Sequence, residues 1–240
     1  MDSISTGCRS LDEVLGGGIP FGRVTLIYGE PSAGKTTLAI RGVVNYLRQD
    51  HEASPPRRAL YVDSDGKFSL ARFSQIAGVD TNGFLKRLLL CMPRTFAEQT
   101  RIIEELISFT SRDIRLVVLD TITSLYSEKI ASTGNPFRIN RELNRQLAFL
   151  KEAAGSQELG VLLLSQVHST LRPDDSSVVP VSSRLLEYWS DVILRLDLTP
   201  QAGVRTVLLE KPRRDTMGCR FRLVSSGLID MGFLNQPFHG

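Results

Sequence analysis

The sequence predicts an α/β fold: a mainly parallel sheet flanked by helices, with antiparallel strands at its C-terminal edge. Three observations carry this expectation. Strand-like and helix-like stretches alternate as far as Gln166, the pattern of successive βαβ units. The apolar, β-branched run Val24 to Tyr28 feeds a loop of spacing G-x-x-x-x-G-K-[ST] and then a helical pattern. Beyond Gln166, strand-like runs follow one another without helices between them, as an antiparallel edge requires.

The chain has 240 residues, enough for one large domain or two small ones with a substantial core. No domain boundary, repeat or low-complexity segment interrupts it, so a single domain over residues 1–240 is expected. No uninterrupted apolar run reaches bilayer-spanning length, and Met1 to Ser5 lacks the basic-then-apolar pattern of a secretory signal. A cytoplasmic protein without membrane attachment is the expectation. Cys8, Cys91 and Cys219 are odd in number and far apart, which fits reduced thiols and no metal spacing. A formal net charge of +3 by itself argues for no polyanionic partner, so any nucleic-acid affinity must come from local features.

Read in order, Ser10 followed by Glu13 is a capping-box pattern, so a short helix is expected to start there and end at Gly16-Gly17-Gly18-Ile19-Pro20. Val24 to Tyr28 is a buried strand. The stretch Gly29-Glu30-Pro31-Ser32-Ala33-Gly34-Lys35-Thr36-Thr37 is a phosphate-binding loop opening a helix that runs to about Gln49. Its glycines permit backbone angles that turn successive N–H groups inward, and the helix N-terminus adds its positive end. Lys35 can then reach the β- and γ-phosphates of ATP, and the Thr36 hydroxyl can ligate Mg²⁺. Ala59 to Asp63 is the next strand. Asp65, just past its end, either orients an attacking water or, like Asp63, serves as a turn residue.

A short helix over Ser69 to Ala77, a strand over Arg87 to Met92 and a helix over Phe96 to Thr110 follow from their patterns. Ile114 to Asp120 is an apolar strand ending in a carboxylate, the form of a Walker B strand, so Asp120 is the second Mg²⁺ ligand beside Thr36. Ile122 to Phe137 reads as a loop with a short helical start, and Arg138 to Ala154 as a helix with Leu143, Leu147 and Leu150 on one face. Gly160 to Gln166 is a strand whose terminal amide can sense a γ-phosphate. The stretch from His168 to Ser183 has no period. It carries Arg172 beside Asp174 and Asp175, and His168 reads as an ordinary loop histidine. Tyr188 to Leu196 and Val204 to Glu210 read as antiparallel strands, and Phe221 to Val224 closes the sheet. Between the last two, Lys211-Pro212-Arg213-Arg214-Asp215 is a basic run, either a solvated turn or a phosphate contact.

Several of these stretches resemble the core of the RecA/RadA recombinase family, a P-loop NTPase fold. They are Ser5 to Asp12, the triple glycine, Gly29 to Thr37, Tyr61 to Gly66, Leu116 to Asp120 and Leu164 to Val167. Leu186-Glu187-Tyr188-Trp189-Ser190 and Leu209-Glu210-Lys211-Pro212-Arg213 look most like the short archaeal RadB branch. The resemblance covers nearly the whole chain. It implies an ATP-binding, DNA-binding accessory protein of homologous recombination and repair, with weak Mg-dependent ATPase and no strand exchange of its own. Its implied partners are single-stranded DNA, bound without sequence preference, a full-length RadA-type recombinase and a further copy of the chain. It further implies catalytic roles for Lys35, Asp65 and Gln166, a DNA-facing loop carrying Arg172, and contacts from Lys211 and Arg213 to a neighbour's ATP. Two departures qualify this. Asp65 stands where the recombinases usually have Glu, which implies slow hydrolysis, and a chain read as the core alone is expected to lack their N-terminal DNA-binding domain. The rival expectations are a KaiC-like signalling ATPase that switches protein partners without binding DNA and, behind it, a P-loop small-molecule kinase.

Overall fold

The computed structural model describes residues 3–49, 56–109, 113–132, 135–169, 178–180, 182–212 and 217–234. The chain opens with β1 (Ser3–Ile4), α1 (Arg9–Val14) and β2 (Ile19–Pro20), the two strands pairing antiparallel. β3 (Arg23–Gly29) leads into α2 (Lys35–Arg48). Next come β4 (Arg58–Asp63), α3 (Leu70–Ala77), a 3₁₀ turn at Gly78–Asp80, α4 (Thr81–Leu85) and β5 (Leu88–Cys91). They are followed by α5 (Phe96–Phe109), β6 (Ile114–Asp120), α6 (Ser124–Ser132), α7 (Pro136–Gln157) and β7 (Gly160–Ser169). The last elements are β8 (Val178–Pro180), α8 (Ser183–Trp189), β9 (Val192–Leu198), β10 (Val204–Lys211), β11 (Gly218–Val224) and β12 (Gly227–Phe233).

Among the described residues the main sheet has ten strands, in the order β12-β11-β10-β9-β3-β7-β6-β4-β5 with β8 added to β7. The six from β9 to β5 are mutually parallel, and β10, β11 and β12 extend them antiparallel. The central strands are apolar throughout because both of their faces are covered. Leu162 and Leu164 of β7 join a core with α1, α2 and α3, whereas Val161 and Leu163 join one with α5, α7 and α8.

The expected mixed sheet is present, with six local differences. His168 is not a loop histidine: it belongs to β7 and stands opposite Val179 of β8. Ser10 does not cap α1: Cys8 precedes the helix without a side-chain cap bond. Asp230 of β12 performs that task from the other end of the chain, accepting the Ser10 N–H at 2.7 Å and the Ser10 hydroxyl. The short helical start expected after Ile122 extends over nine residues, Ser124–Ser132, its buried Leu125 and Tyr126 packing under α7. α7 starts two residues earlier than Arg138, because the Asn135 side chain accepts the Arg138 N–H and Pro136 occupies the first turn. Tyr188 and Trp189 end α8 and do not start a strand; Leu186 and Trp189, three apart, turn toward the α7 side of the sheet. Finally, Ser225-Ser226 makes a hairpin turn and not a terminus, so β12 lies outside β11. Arg72 holds the Val224 and Ser225 carbonyls at 2.8 Å each.

Burial pushes the Asp230 carboxyl up, but hydrogen bonds from Ser10 and the Gly232 N–H outweigh it and leave the group below its ordinary value. A carboxyl lowered in the folded state adds stability at neutral pH, and that share is lost as pH falls through the carboxylate range. Asp230→Ala is expected to lower unfolding stability by about 1 kcal/mol, the usual worth of a cap, measured by urea denaturation at pH 7. The difference from the parent should shrink toward pH 3.

Candidate functional site

Strand register brings the glycine loop and the polar strand ends to one edge of the sheet. Gly29 stands opposite both Gln166 of β7 and Leu196 of β9, and Asp63 stands opposite Asp120. These are the C-terminal ends of parallel strands, where open α/β sheets bind ligands. A Cβ at Gly29 would lie 2.2 Å from the Leu196 carbonyl oxygen, so only glycine fits between its neighbours. Gly34, with φ of 102°, turns the loop into α2, and a Cβ there would meet Leu223 of β11 at 3.0 Å. Between them Glu30, Pro31 and Ser32 are exposed and Ala33 is buried. Arg205 of β10 steadies the loop from outside, donating to the Ser32 carbonyl at 3.1 Å.

Lys35 begins α2 with its side chain buried at 7% exposure. Its Nζ donates to the Gly29 and Glu30 carbonyls, both at 2.8 Å. Burial pushes this ammonium down to about 8, against the pull of Asp120 and Asp65. Beside it, Asp120 Oδ2 accepts the Thr36 hydroxyl at 2.7 Å and the Tyr61 hydroxyl at 2.6 Å. Burial raises the Asp120 carboxyl above its ordinary value, and those two hydrogen bonds oppose the rise. Thr37 follows on α2, half-buried.

Asp65 faces the same space. Its carboxylate accepts Gln166 Nε2 at 3.1 Å, Lys67 Nζ at 2.9 Å and the Ser124 hydroxyl. Asp63 does something different: it accepts the N–H groups of Lys67 at 3.1 Å and Phe68 at 2.7 Å, closing the turn after β4. Lys35, Thr36, Asp65, Asp120 and Gln166 therefore converge. Lys211 stands apart, its Nζ donating to the Glu187 and Ser190 carbonyls at 2.9 and 2.6 Å and so capping α8. Arg172 and Arg213 lie outside the described residues.

Sequence reasoning missed Tyr61, whose phenol burial and Asp120 hold far above its ordinary value. The signal was there: a lone hydroxyl inside an apolar strand needs a partner when buried. It also missed the buried amides behind the loop after β6. Gln99 Oε1 accepts Ser64 Oγ at 2.8 Å, and its Nε2 donates to the Ile122 carbonyl at 3.2 Å and to Gln146 at 2.9 Å. Such pairings join positions far apart in sequence and leave no local pattern.

These residues suit a magnesium nucleotide. Turned N–H groups and a helix N-terminus match phosphate oxygens, and a hydroxyl beside a carboxylate is a hard-oxygen pair of the kind Mg²⁺ shares with phosphates. Among the described residues no group of three His, Cys, Asp or Glu could cage a metal without such help. A parallel sheet with this loop on its central strand and an antiparallel extension defines the class: a RecA-type P-loop core. The family model for Rad51 matches residues 1–231. The chain is 35% identical to the DNA repair and recombination protein RadB of Thermococcus kodakarensis, over 95% of this chain and 99% of that protein. It is 30% identical to the RadB of Methanosphaera stadtmanae, over 92% and 93%. A crystal structure of the RadB recombinase superposes with a TM-score of 0.80 at 34% identity, covering 95% of this chain and 99% of that one. The chain belongs to the Rad51 family, in its archaeal RadB branch.

A lysine lowered to about 8 by burial should regain its proton when phosphate charge arrives. Calorimetry of nucleotide binding at pH 8, repeated in buffers of different ionisation heat, is expected to show net proton uptake, and affinity should weaken about tenfold per pH unit above 8. Without nucleotide the sign reverses. Between about 8 and the ordinary lysine value the unfolded chain holds this proton more tightly, so stability should rise with pH across that window. Lys35→Met should remove both effects.

Proposed function

We propose that this chain is an ATP-binding, DNA-binding accessory protein of homologous recombination and DNA repair, working as one RecA-like domain in the cytoplasm. The observation that supports it most is the meeting of Lys35, Thr36 and Asp120 with Asp65 and Gln166 at the mouth of the glycine loop. The names of its relatives, DNA repair and recombination proteins, point the same way. Among the described residues no helix is long and apolar enough to cross a membrane.

In this reading the loop N–H groups and Lys35 hold the phosphates of ATP, and Thr36 and Asp120 hold Mg²⁺, whose charge neutralises the phosphate oxygens. Asp65 orients a water, and Gln166 reports on the γ-phosphate through its bond to Asp65. Hydrolysis is weak for two reasons. Asp65 is one methylene shorter than the glutamate usual in recombinases, and Lys67, Ser124 and Gln166 already hold its carboxylate. Single-stranded DNA is bound without sequence preference, through phosphates. The stretch that includes Arg172 supplies part of that contact, and Lys211 and Arg213 approach the ATP of a neighbouring copy. A full-length RadA-type recombinase is the protein partner, and the chain performs no strand exchange itself.

Fluorescence anisotropy on labelled single-stranded DNA, across a salt series with and without Mg·ATP, tests the main claim. Salt-sensitive binding that ATP alters is expected, with the ATP effect absent in Lys35→Ala. Nucleotide binding with no DNA affinity even at low salt would sink this reading in favour of a signalling ATPase. The hydrolysis argument has its own check: Asp65→Glu is expected to raise steady-state ATP turnover by about tenfold or more, and Asp65→Ala to reduce it further.

A further inference from the structure

Behind the nucleotide site a row of buried polar side chains runs through the core between α5 and α7. Ser64 Oγ donates to Gln99 Oε1 at 2.8 Å, and Gln99 Nε2 donates to Gln146 Oε1 at 2.9 Å. Gln146 Nε2 donates to Thr100 Oγ1 at 2.7 Å, and that hydroxyl donates to the Phe96 carbonyl at 3.0 Å. The row ends on a carbonyl, which can only accept, so every donor in it points the same way. The second N–H of Gln99 goes to the Ile122 carbonyl at 3.2 Å. Ser64, Gln99, Thr100 and Gln146 are all buried, on or beside helices whose Ile103, Leu143 and Leu147 belong to the apolar core. An apolar side chain would fill the same space without the cost of desolvating an amide. Packing alone does not explain glutamine here.

What the Gln99 amide holds is specific. Ser64 immediately precedes Asp65. Ile122 follows Thr121, whose hydroxyl shares a hydrogen bond with that of Ser124 at 2.5 Å, and Ser124 donates to the Asp65 carboxylate. Each of the two segments is tied to the sheet by its own backbone. The Ser64 N–H donates to the Asp120 carbonyl at 2.9 Å, and the Ile122 N–H to the Leu164 carbonyl at 3.0 Å. Gln99 joins the segments to each other. That junction needs one acceptor and two donors on a single side chain; an amide supplies them, a carboxylate lacks the donors and a hydroxyl has only one.

We propose that Gln99 is a positioning residue for Asp65, a role that rests on the ATP reading above: it sets the spacing between Ser64 and Ile122 and so aims the carboxylate at the attacking water. Buried behind both segments, Gln99 acts through Asp65 and not on the nucleotide. Gln146 holds the amide in turn, and by fixing its plane ties the setting of Asp65 to α7. Without the amide, the Ser64 hydroxyl and the Ile122 and Gln146 carbonyls would lack a partner inside the core, and the two segments would part to find others. A shift of about 1 Å at a reacting group costs on the order of 10²-fold in rate. Nucleotide affinity, which draws on the loop N–H groups, Lys35, Thr36 and Asp120, would stay as it was.

The test uses the full chain and two variants. Gln99→Met keeps the length and bulk of the side chain without its hydrogen bonds. Ser64→Ala cuts only the Ser64 link, and it carries the test should Gln99→Met fail to fold. Calorimetry gives the Mg·ATP affinity, radiolabelled ATP the single-turnover rate, and mass spectrometry the backbone amide exchange of the nucleotide-free protein. The expected result is parent-like affinity with hydrolysis slowed about tenfold or more in Gln99→Met and by less in Ser64→Ala. Amide exchange should quicken in segments 64–66 and 121–124 while α2 and β3 stay protected. Hydrolysis at the parent rate in the folded variants, affinity that falls along with the rate, or exchange that rises over the whole domain would each overturn the proposal and leave the ATP reading standing. A parent protein that binds no Mg·ATP, or whose turnover survives Asp65→Ala unchanged, would overturn that reading and this role with it.

Discussion

β3 is hydrogen-bonded to parallel neighbours on both edges, to β7 over its whole length and to β9 from Thr25 onward. That double pairing fixes where the chain leaves the sheet and sets the glycine loop beside Gln166 of β7. At the exit, Gly29 is wedged so closely against the Leu196 carbonyl that no side chain fits. A one-residue slip of β7 along β3 would point Gln166 to the other face and separate it from Asp65. The site depends on register before it depends on any single side chain.

Within that frame the buried charges answer to one another. An uncompensated ion in such surroundings costs several kcal/mol. Lys35 satisfies its ammonium on two carbonyls of its own loop, and Asp120 takes hydroxyls from Thr36 and Tyr61. These partners are neutral, so neither charge is cancelled outright, and both groups are displaced toward their uncharged forms. The pocket edge is thus held together and left receptive to added charge of both signs.

How much was legible beforehand divides along the same line. The glycine loop, the central strands and Asp120 were readable because each is a local pattern: a fixed spacing, or an apolar run ending in a carboxylate. What escaped reading is what depends on distant partners. Asp230 caps α1 from 220 residues away, and nothing around Ser10 announces it. The aromatic, β-branched text from Tyr188 to Leu196 resembles one strand, yet its first part is helical because packing on the α7 side and the Lys211 cap override local preference. Gln99 and Gln146 carry no local mark of their role, and only the fold reveals them as buried.

The Lys211 cap has one more implication. The helix it closes follows directly on the stretch 168–183, and the lysine itself stands at the end of β10, beside the basic run. One ammonium with three donor hydrogens is spent largely on two carbonyls. Should it turn outward to a phosphate, the last turn of that helix would lose its closure and be free to unwind. The residue is a latch held by two of its three hydrogens: engaged inward it holds the helix shut, and an outward acceptor that drew on those two would open it.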